Sequence, residues 1–442
     1  MKSSCFKALE YSVLLFLFLH SQVSPAVSQS PSNPQDPIKI GLIIPTSGVV
    51  AAPGLQMKKG WELWLKQNGQ TVAGRTIETF IENTAGDPST GRLKARRLVE
   101  QQGVDVLVGP VLANVGLAIA DYVKDKDVLL ALPVVAANNV TQRERQWNVL
   151  KVAGWSSSQV THPMGEWAFK QAYKRGITIG NDYNFGHQNV GGFANTFTDD
   201  GGRIIKQIWN PLGTNDFSPY LSRIISLRPD VVFAAQVGSD AVRFINQWQG
   251  FGLKGRIPLL GNPTLLKQST LNHVGDEVLG LKAVTRYSAA RKSPANQQFV
   301  QAFDQEYGEL PDATAASTYT AGKWLTKAIE SVDGEFDDIH QLINAVKNTT
   351  LRTSPLGSMK MDEYGNPIID VYLVETVKRD DGRKWNKVLK TWENVSQFWT
   401  YGPDEFLQQP VYSRDFQGGV TGQFEQNWYL SLQLLNGLTF AS

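Results

Sequence analysis

The chain has 442 residues, 42% of them hydrophobic and 19% charged, which fits two or three domains and excludes wholesale disorder. Lys plus Arg number 43 against 41 Asp plus Glu, a formal charge of +2, so there is no basic excess on which to build a nucleic-acid surface. The single cysteine, Cys5, and five scattered histidines give neither a disulfide framework nor a zinc-ligand pattern, so no metal and no cofactor is expected.

Lys2 and Lys7 precede the apolar run VLLFLFL (13–19), and the small residues Ser24, Ala26 and Ser28 follow. That is the layout of a secretory signal, so residues 1–28 are expected to be cleaved and the mature chain exported. The run is too short to span a bilayer, and no later stretch approaches the ~18 apolar residues a membrane helix needs. Cys5 leaves with the signal, and the cysteine-free remainder suits an oxidising compartment. Residues 29–37 are rich in Pro and Ser and read as a linker.

From Ile38 onward short apolar runs alternate with amphipathic stretches. The strand IKIGLII (38–44) leads to a helix over 54–67; TIETFIE (76–82) leads to a helix over 89–102. VDVLVG (104–109), a helix over 114–124 and VLLALPVV (128–135) complete the theme, which restarts after Gly154. There a helix over 158–173 precedes GITIGN (176–181), a helix begins at Gly186, and RIIKQIW (203–209) follows. A helix over 217–227, DVVFAAQV (230–237), a helix over 239–250 and PLLGN (258–262) come next. Strands separated by helices of 10–15 residues imply βαβ units, so the fold class is α/β with two parallel sheets, one in each of two lobes. Helices over 294–307, 313–331 and 339–346 arrive without strands between them, as if returning to cover the first lobe. The segment 359–377, with a turn at Tyr364-Gly-Asn-Pro367, and VLKTWE (388–393) read as antiparallel strands, and 394–442 as a wrapping tail.

Catalytic signals are weak. Gly250-x-Gly252-x-x-Gly255 follows a helix and precedes a strand, the reverse of a dinucleotide fingerprint. No phosphate-binding GxxxxGK[ST] loop and no nucleophile elbow occurs. Asp87, Asp182 and Asp216 lie at strand ends, where capping the next helix is the commoner role. No nucleophile, base and oxyanion donor assemble, so no enzymatic activity is expected. The informative loops are 45–54, 109–116, 133–139, 181–188, 234–238 and 261–264, which follow successive strands. Ligands of open α/β sheets bind outside the carboxyl ends of strands, and these loops offer backbone donors and small side chains to a small solute.

PTSG after the first strand, Asn83-Thr-Ala-Gly-Asp87-Pro88, LVGPV, Asp182-Tyr-Asn-Phe185-Gly186, DFSPYLSRI, RPDVVF and LPDATAASTYTAGKWL occur in an order that resembles the periplasmic leucine/isoleucine/valine-binding receptors of ABC importers. The likeness runs over 38–377. It implies two Rossmann-like lobes joined by three crossings, with a ligand cleft between them. Lobe 1 would take 38–153 and 286–361, lobe 2 would take 154–285 and 362–442, and the crossings would fall near Gly154, Arg286 and Asp362. It also implies a periplasmic monomer that delivers a small molecule to an inner-membrane permease.

Ligand contacts implied by the resemblance fall on Ser47, Pro53, Ala113, Asn114, Ala136, Ala137, Phe185, Gln236 and Asn262. The serine and threonine that hold an α-carboxylate in the amino-acid receptors fall on Ala113-Asn114 and Ala136, and no acidic residue stands near Asn262-Pro-Thr264 to pair with an ammonium. A buried, unpaired ammonium costs several kcal/mol, so a standard amino acid is a poor ligand. DYxFGH (182–187) and the tail 395–416 are similar to receptors for aromatic carboxylates. In that case Phe185 would stack on a ring, and Asn114, Gln236 and Asn262 would bond its polar groups. The competing expectations are a short amide, a urea-like or branched-chain amino-acid solute, or a sensing module that presents its ligand to a membrane receptor.

Overall fold

The computed structural model describes residues 36–336 and 338–419, so the expected signal, Cys5, most of the linker and the end of the tail lie outside the described residues. Six strands form the first sheet: β1 (Ile38–Ile44), β2 (Thr71–Val72), β3 (Arg75–Asn83), β4 (Val106–Val108), β5 (Leu129–Ala131) and β6 (Val149–Leu150). Their order is β2-β3-β1-β4-β5-β6, and β1 lies parallel to both β3 and β4, the doubly wound arrangement that the βαβ rhythm implies.

The second sheet takes β7 (Arg175–Asn181), β8 (Arg203–Asn210), β9 (Val231–Ala235), β10 (Leu259–Gly261) and β11 (Lys282–Thr285), all parallel. The order on one path is β12-β13-β14-β11-β10-β9-β7-β8, where β12 is Thr350–Leu351, β13 is Met359–Met361 and β14 is Pro367–Lys378. β14 runs antiparallel to β11 and to a last strand, β15 (Lys384–Val395). Strand β9 shows why such a strand reads as one apolar run. Val231, Phe233 and Ala235 join the core on one face while Val232 and Ala234 join that on the other, and all five are fully buried.

The helices Pro294–Tyr307, Ala313–Glu330 and Ile339–Asn348 return to the first lobe, as the sequence suggests. Gly322 lets the indole of Trp64, on the helix Ala51–Asn68, lie so close that an added Cβ would come within 2.3 Å of it. Trp324 Nε1 donates to Val346 O at 2.9 Å, tying two of the returning helices together.

A buried polar network ties the chain together where it passes between the sheets. Lys151 Nζ donates to Ser156 Oγ at 2.6 Å, and Ser156 Oγ donates to Asn366 Oδ1 at 2.8 Å. Asn366 Nδ2 reaches Gln159 Oε1 at 3.1 Å, and Gln397 Nε2 reaches Asp362 Oδ2 at 2.8 Å. Loss of water drives the Lys151 pKa well down, against the attraction of Asp362.

The described part of the tail packs against His162 and receives hydrogen bonds from Arg143. Phe398, Phe406, Tyr412 and Phe416 form their own apolar cluster, and Phe406 belongs to a helical turn, Pro403–Gln408, that has no period in the sequence. Tyr412 Oη meets Nε2 of the fully buried His162 at 2.8 Å, and burial lowers the His162 pKa to about 3.

Candidate ligand-binding cleft

Loops at the carboxyl ends of β4, β5, β7, β9 and β10 converge on one cavity between the lobes, where open α/β sheets hold ligands. Leu112 and Val134 come from the first lobe, and Tyr183, Phe185 and Val237 from the second. Trp155, on the chain between the sheets, stands edge-on to Phe185 with ring centres 6.0 Å apart. Gly186 fixes Phe185 in place. The helix Asn184–Asp199 starts so close to β7 that a Cβ there would lie 1.9 Å from Asn181 O.

Two cations face this cavity, Lys267 and Arg286. The Lys267 side chain is 9% exposed; its Nζ donates to Thr314 Oγ1 and lies 3.8 Å from Asp312 Oδ2. Arg286 donates to Ala153 O at 3.1 Å and Pro133 O at 3.2 Å, and its guanidinium lies 5.2 Å from the centre of the Trp155 ring. Burial lowers the pKa of both, that of Arg286 to about 9, with Asp312 pulling each the other way. Arg286 remains cationic near neutral pH.

Asp312 is already engaged. It caps the helix Ala313–Glu330 through Thr314 N and Ala315 N and accepts from Ser269 Oγ. Trp155 Nε1, buried, has no hydrogen-bond partner within the protein. Among the described residues that line the cavity none is Asp or Glu. Two positive charges, one occupied carboxylate beside them and an idle N–H donor suit an anionic group on a flat apolar body.

The expected site residues divide. Phe185 lines the cavity, and Pro53 lines an adjoining chamber. Ser47 is exposed, and its Oγ accepts from Asn83 Nδ2 at 3.1 Å. Ala113 and Asn114 follow directly after Leu112 in the helix Ala113–Val123; Asn114 Oδ1 is buried without a partner, but neither residue lines the cavity. Ala136 and Ala137 are buried and do not line the cavity, and Ala136 O accepts from Ser157 N and Ser157 Oγ. Gln236 exchanges hydrogen bonds with Asn210, and Asn262 holds its own loop through Thr264 Oγ1 and Leu265 N. Those two amides are spent on the scaffold, because a buried loop must satisfy its polar groups before it can serve a ligand.

Lys267, Arg286, Trp155 and Tyr183 also line the cavity and were not among the contacts expected from the sequence. A signal existed for Lys267: it is the only charged residue in the loop that runs on from Asn262-Pro-Thr264.

Two α/β lobes with a cleft between them, lined by strand-end loops and free of any catalytic constellation among the described residues, define a solute-binding protein. The pattern of the periplasmic binding protein family matches residues 37–383, and the chain belongs to that family. It is 28% identical over 364 residues to the Leu/Ile/Val-binding protein homolog 6 of Brucella melitensis, an alignment covering 81% of this chain and 92% of the relative. A solute-binding protein of an ABC transporter from Rhodopseudomonas palustris BisB5, solved with 3,4-dihydroxybenzoic acid, is 29% identical with a TM-score of 0.78, covering 81% of this chain and 98% of that one. Another from R. palustris, solved with benzoate, is 27% identical with a TM-score of 0.75 and covers 81% and 98%.

Proposed function

We propose that this protein is the periplasmic receptor of an ABC importer and captures an aromatic carboxylate. The carboxylate would bind Arg286, Lys267 and Trp155 Nε1, and the ring would pack against Phe185 and Trp155. The observation that carries this reading is the pair of buried cations, served by one occupied carboxylate and facing an aromatic-walled cavity. The aromatic-acid complexes of the R. palustris proteins support the same ligand class. A carboxylate completes this site twice over. It supplies the missing counterion, and its oxygens accept from donors that otherwise stay desolvated. An amino acid would bring an ammonium toward Lys267 and Arg286 with no acidic residue on the cavity wall to receive it.

Capture would proceed by closure of the lobes about crossings near 152–155, 286–288 and 361–367. Arg286 belongs to one crossing and donates to Ala153 O in another, so a ligand bound to it would draw on the hinge directly. The closed form would be the one presented to the permease.

A thermal-shift panel on the mature protein tests this reading. Ligand that binds only the folded state stabilises it by about 2.7 kcal/mol at a hundredfold excess over Kd. Benzoate and hydroxybenzoates should raise the melting temperature; leucine, valine, benzamide and urea should not. A shift with leucine and none with any aryl acid would overturn the proposal.

A further inference from the structure

We infer that the acid captured in the cleft carries an apolar arm that fills a second chamber between the lobes. This rests on the aryl-acid reading above and adds a second part to the ligand. The inner cavity, bounded by Trp155, Phe185 and Arg286, has a free volume of about 30 Å³. The adjoining chamber has about 360 Å³. The two share Val237, Thr264 and Lys267 as walls, so the Lys267 ammonium stands at the junction. A compact anion held at Arg286 and Lys267 leaves the larger space unused.

The chemistry of that space is apolar, and both lobes build it. Val49, Ala52 and Pro53 come from the first lobe, at the start of the helix Ala51–Asn68; Val237 and Val242 come from the second. The lobes touch across it: a Cβ on Gly238 would lie 2.4 Å from Val49 O. Gly238 has φ +57°, which also favours glycine there. The guanidinium nearest the chamber, that of Arg243, is already paired with Asp240 and bonded to Thr214 O. Ser239, Ser269, Thr270 and His273 complete the wall, with His273 Nδ1 bonded to Ser269 O, and Lys267 at the junction serves the acid group. An alkyl chain or a second ring would displace water from valine, alanine and proline surfaces on both lobes, which favours the closed state. The ligand class is therefore an aryl acid extended from its ring by an uncharged apolar substituent.

Calorimetric titration of the mature protein at pH 7 with benzoate, 3-butylbenzoate, 4-butylbenzoate and biphenyl-4-carboxylate tests the inference. At least one extended acid should bind tenfold or more tightly than benzoate. Ala52→Phe and, separately, Val242→Trp should erase that gain while leaving the benzoate Kd within about twofold and the melting temperature unchanged. Ala52 is exposed at a helix start, so its substitution does not disturb the core. Benzoate binding with no gain from any extension, or a gain that survives both variants, would overturn the second chamber and leave the aryl-acid reading standing. Absence of binding by all four acids would overturn both.

Discussion

Lys151 and Lys267 are both buried bases whose pKa values fall because water has been taken away, yet their surroundings differ. Lys151 sits where the chain passes between the sheets, bonded to Ser156, whose hydroxyl continues into Asn366, Gln159 and their neighbours. Every step of that chain ends on another protein atom. Lys267 holds Thr314 and leans on an aspartate that already caps a helix, and the rest of its head group faces open space. The difference is access: Lys151 is enclosed by protein, whereas Lys267 lines the cavity between the lobes and can receive an anion there. The same contrast separates Gln236 and Asn262, whose amides are consumed, from Trp155, whose Nε1 is idle.

Substitutions can break this contrast. Lys151→Met should have the largest effect, a loss of about 3 kcal/mol of folding stability, since removing one member of a buried polar network strands the others. Chemical denaturation reads this loss, and the Kd for benzoate should stay near that of the native protein. Equal stability in the variant would show that the network is not structural.

His162 extends the comparison to a base that burial holds neutral. Its folded pKa of about 3 lies below the ~6.5 of an unfolded histidine, so the unfolded chain binds the extra proton between those values. Stability from this group is full above about pH 6.5 and falls with acid toward pH 3, with a slope approaching ~1.4 kcal/mol per pH unit. Urea unfolding between pH 7 and 4 should show that slope reduced in His162→Gln.

Phe185→Ala should weaken benzoate binding about tenfold through lost ring contact, with a smaller change in the melting temperature of the unliganded protein. A collapse of intrinsic stability would make Phe185 a core residue and nothing more. The smallest effect belongs to Arg414. Its Nε lies 3.1 Å from both oxygens of Asp182, in the loop that carries Tyr183 and Phe185, so the tail steadies the aromatic wall of the cleft. The pair is partly exposed, and Arg414→Ala should raise Kd two- to threefold, with partial rescue by Lys.

Much of the scaffold was legible. The helix Ser239–Gly250 has the bounds its apolar spacing predicts, and the turn before Pro367 joins β13 to β14 as the Gly-Asn-Pro signal requires. Short elements outside long apolar runs were not: β2 and β6 have two residues each, and β11 has only two apolar residues between Lys282 and Thr285. Around the cavity, the rule that loops at strand ends hold ligands pointed to Phe185 and Pro53, which line the inner cavity and the adjoining chamber. It could not tell which polar side chains the loops would use for themselves, which is why Gln236 and Asn262 were expected in the cleft. Trp155 and Arg286 lie on segments between the sheets, where no periodicity marks a direction. The tail's contact with His162 joins residues 250 apart, a distance over which sequence pattern says nothing.

The account turns on whether Lys267 is an anion anchor. Titration of benzoate and of benzamide, which has the same ring without the charge, into the native protein and Lys267→Met at pH 7 measures this directly. The account predicts that benzoate binds the native protein at least a hundredfold more tightly than benzamide, and that the substitution removes most of this preference with little loss of folding stability. Equal affinities for acid and amide in the native protein, or an acid preference untouched in Lys267→Met, would contradict it.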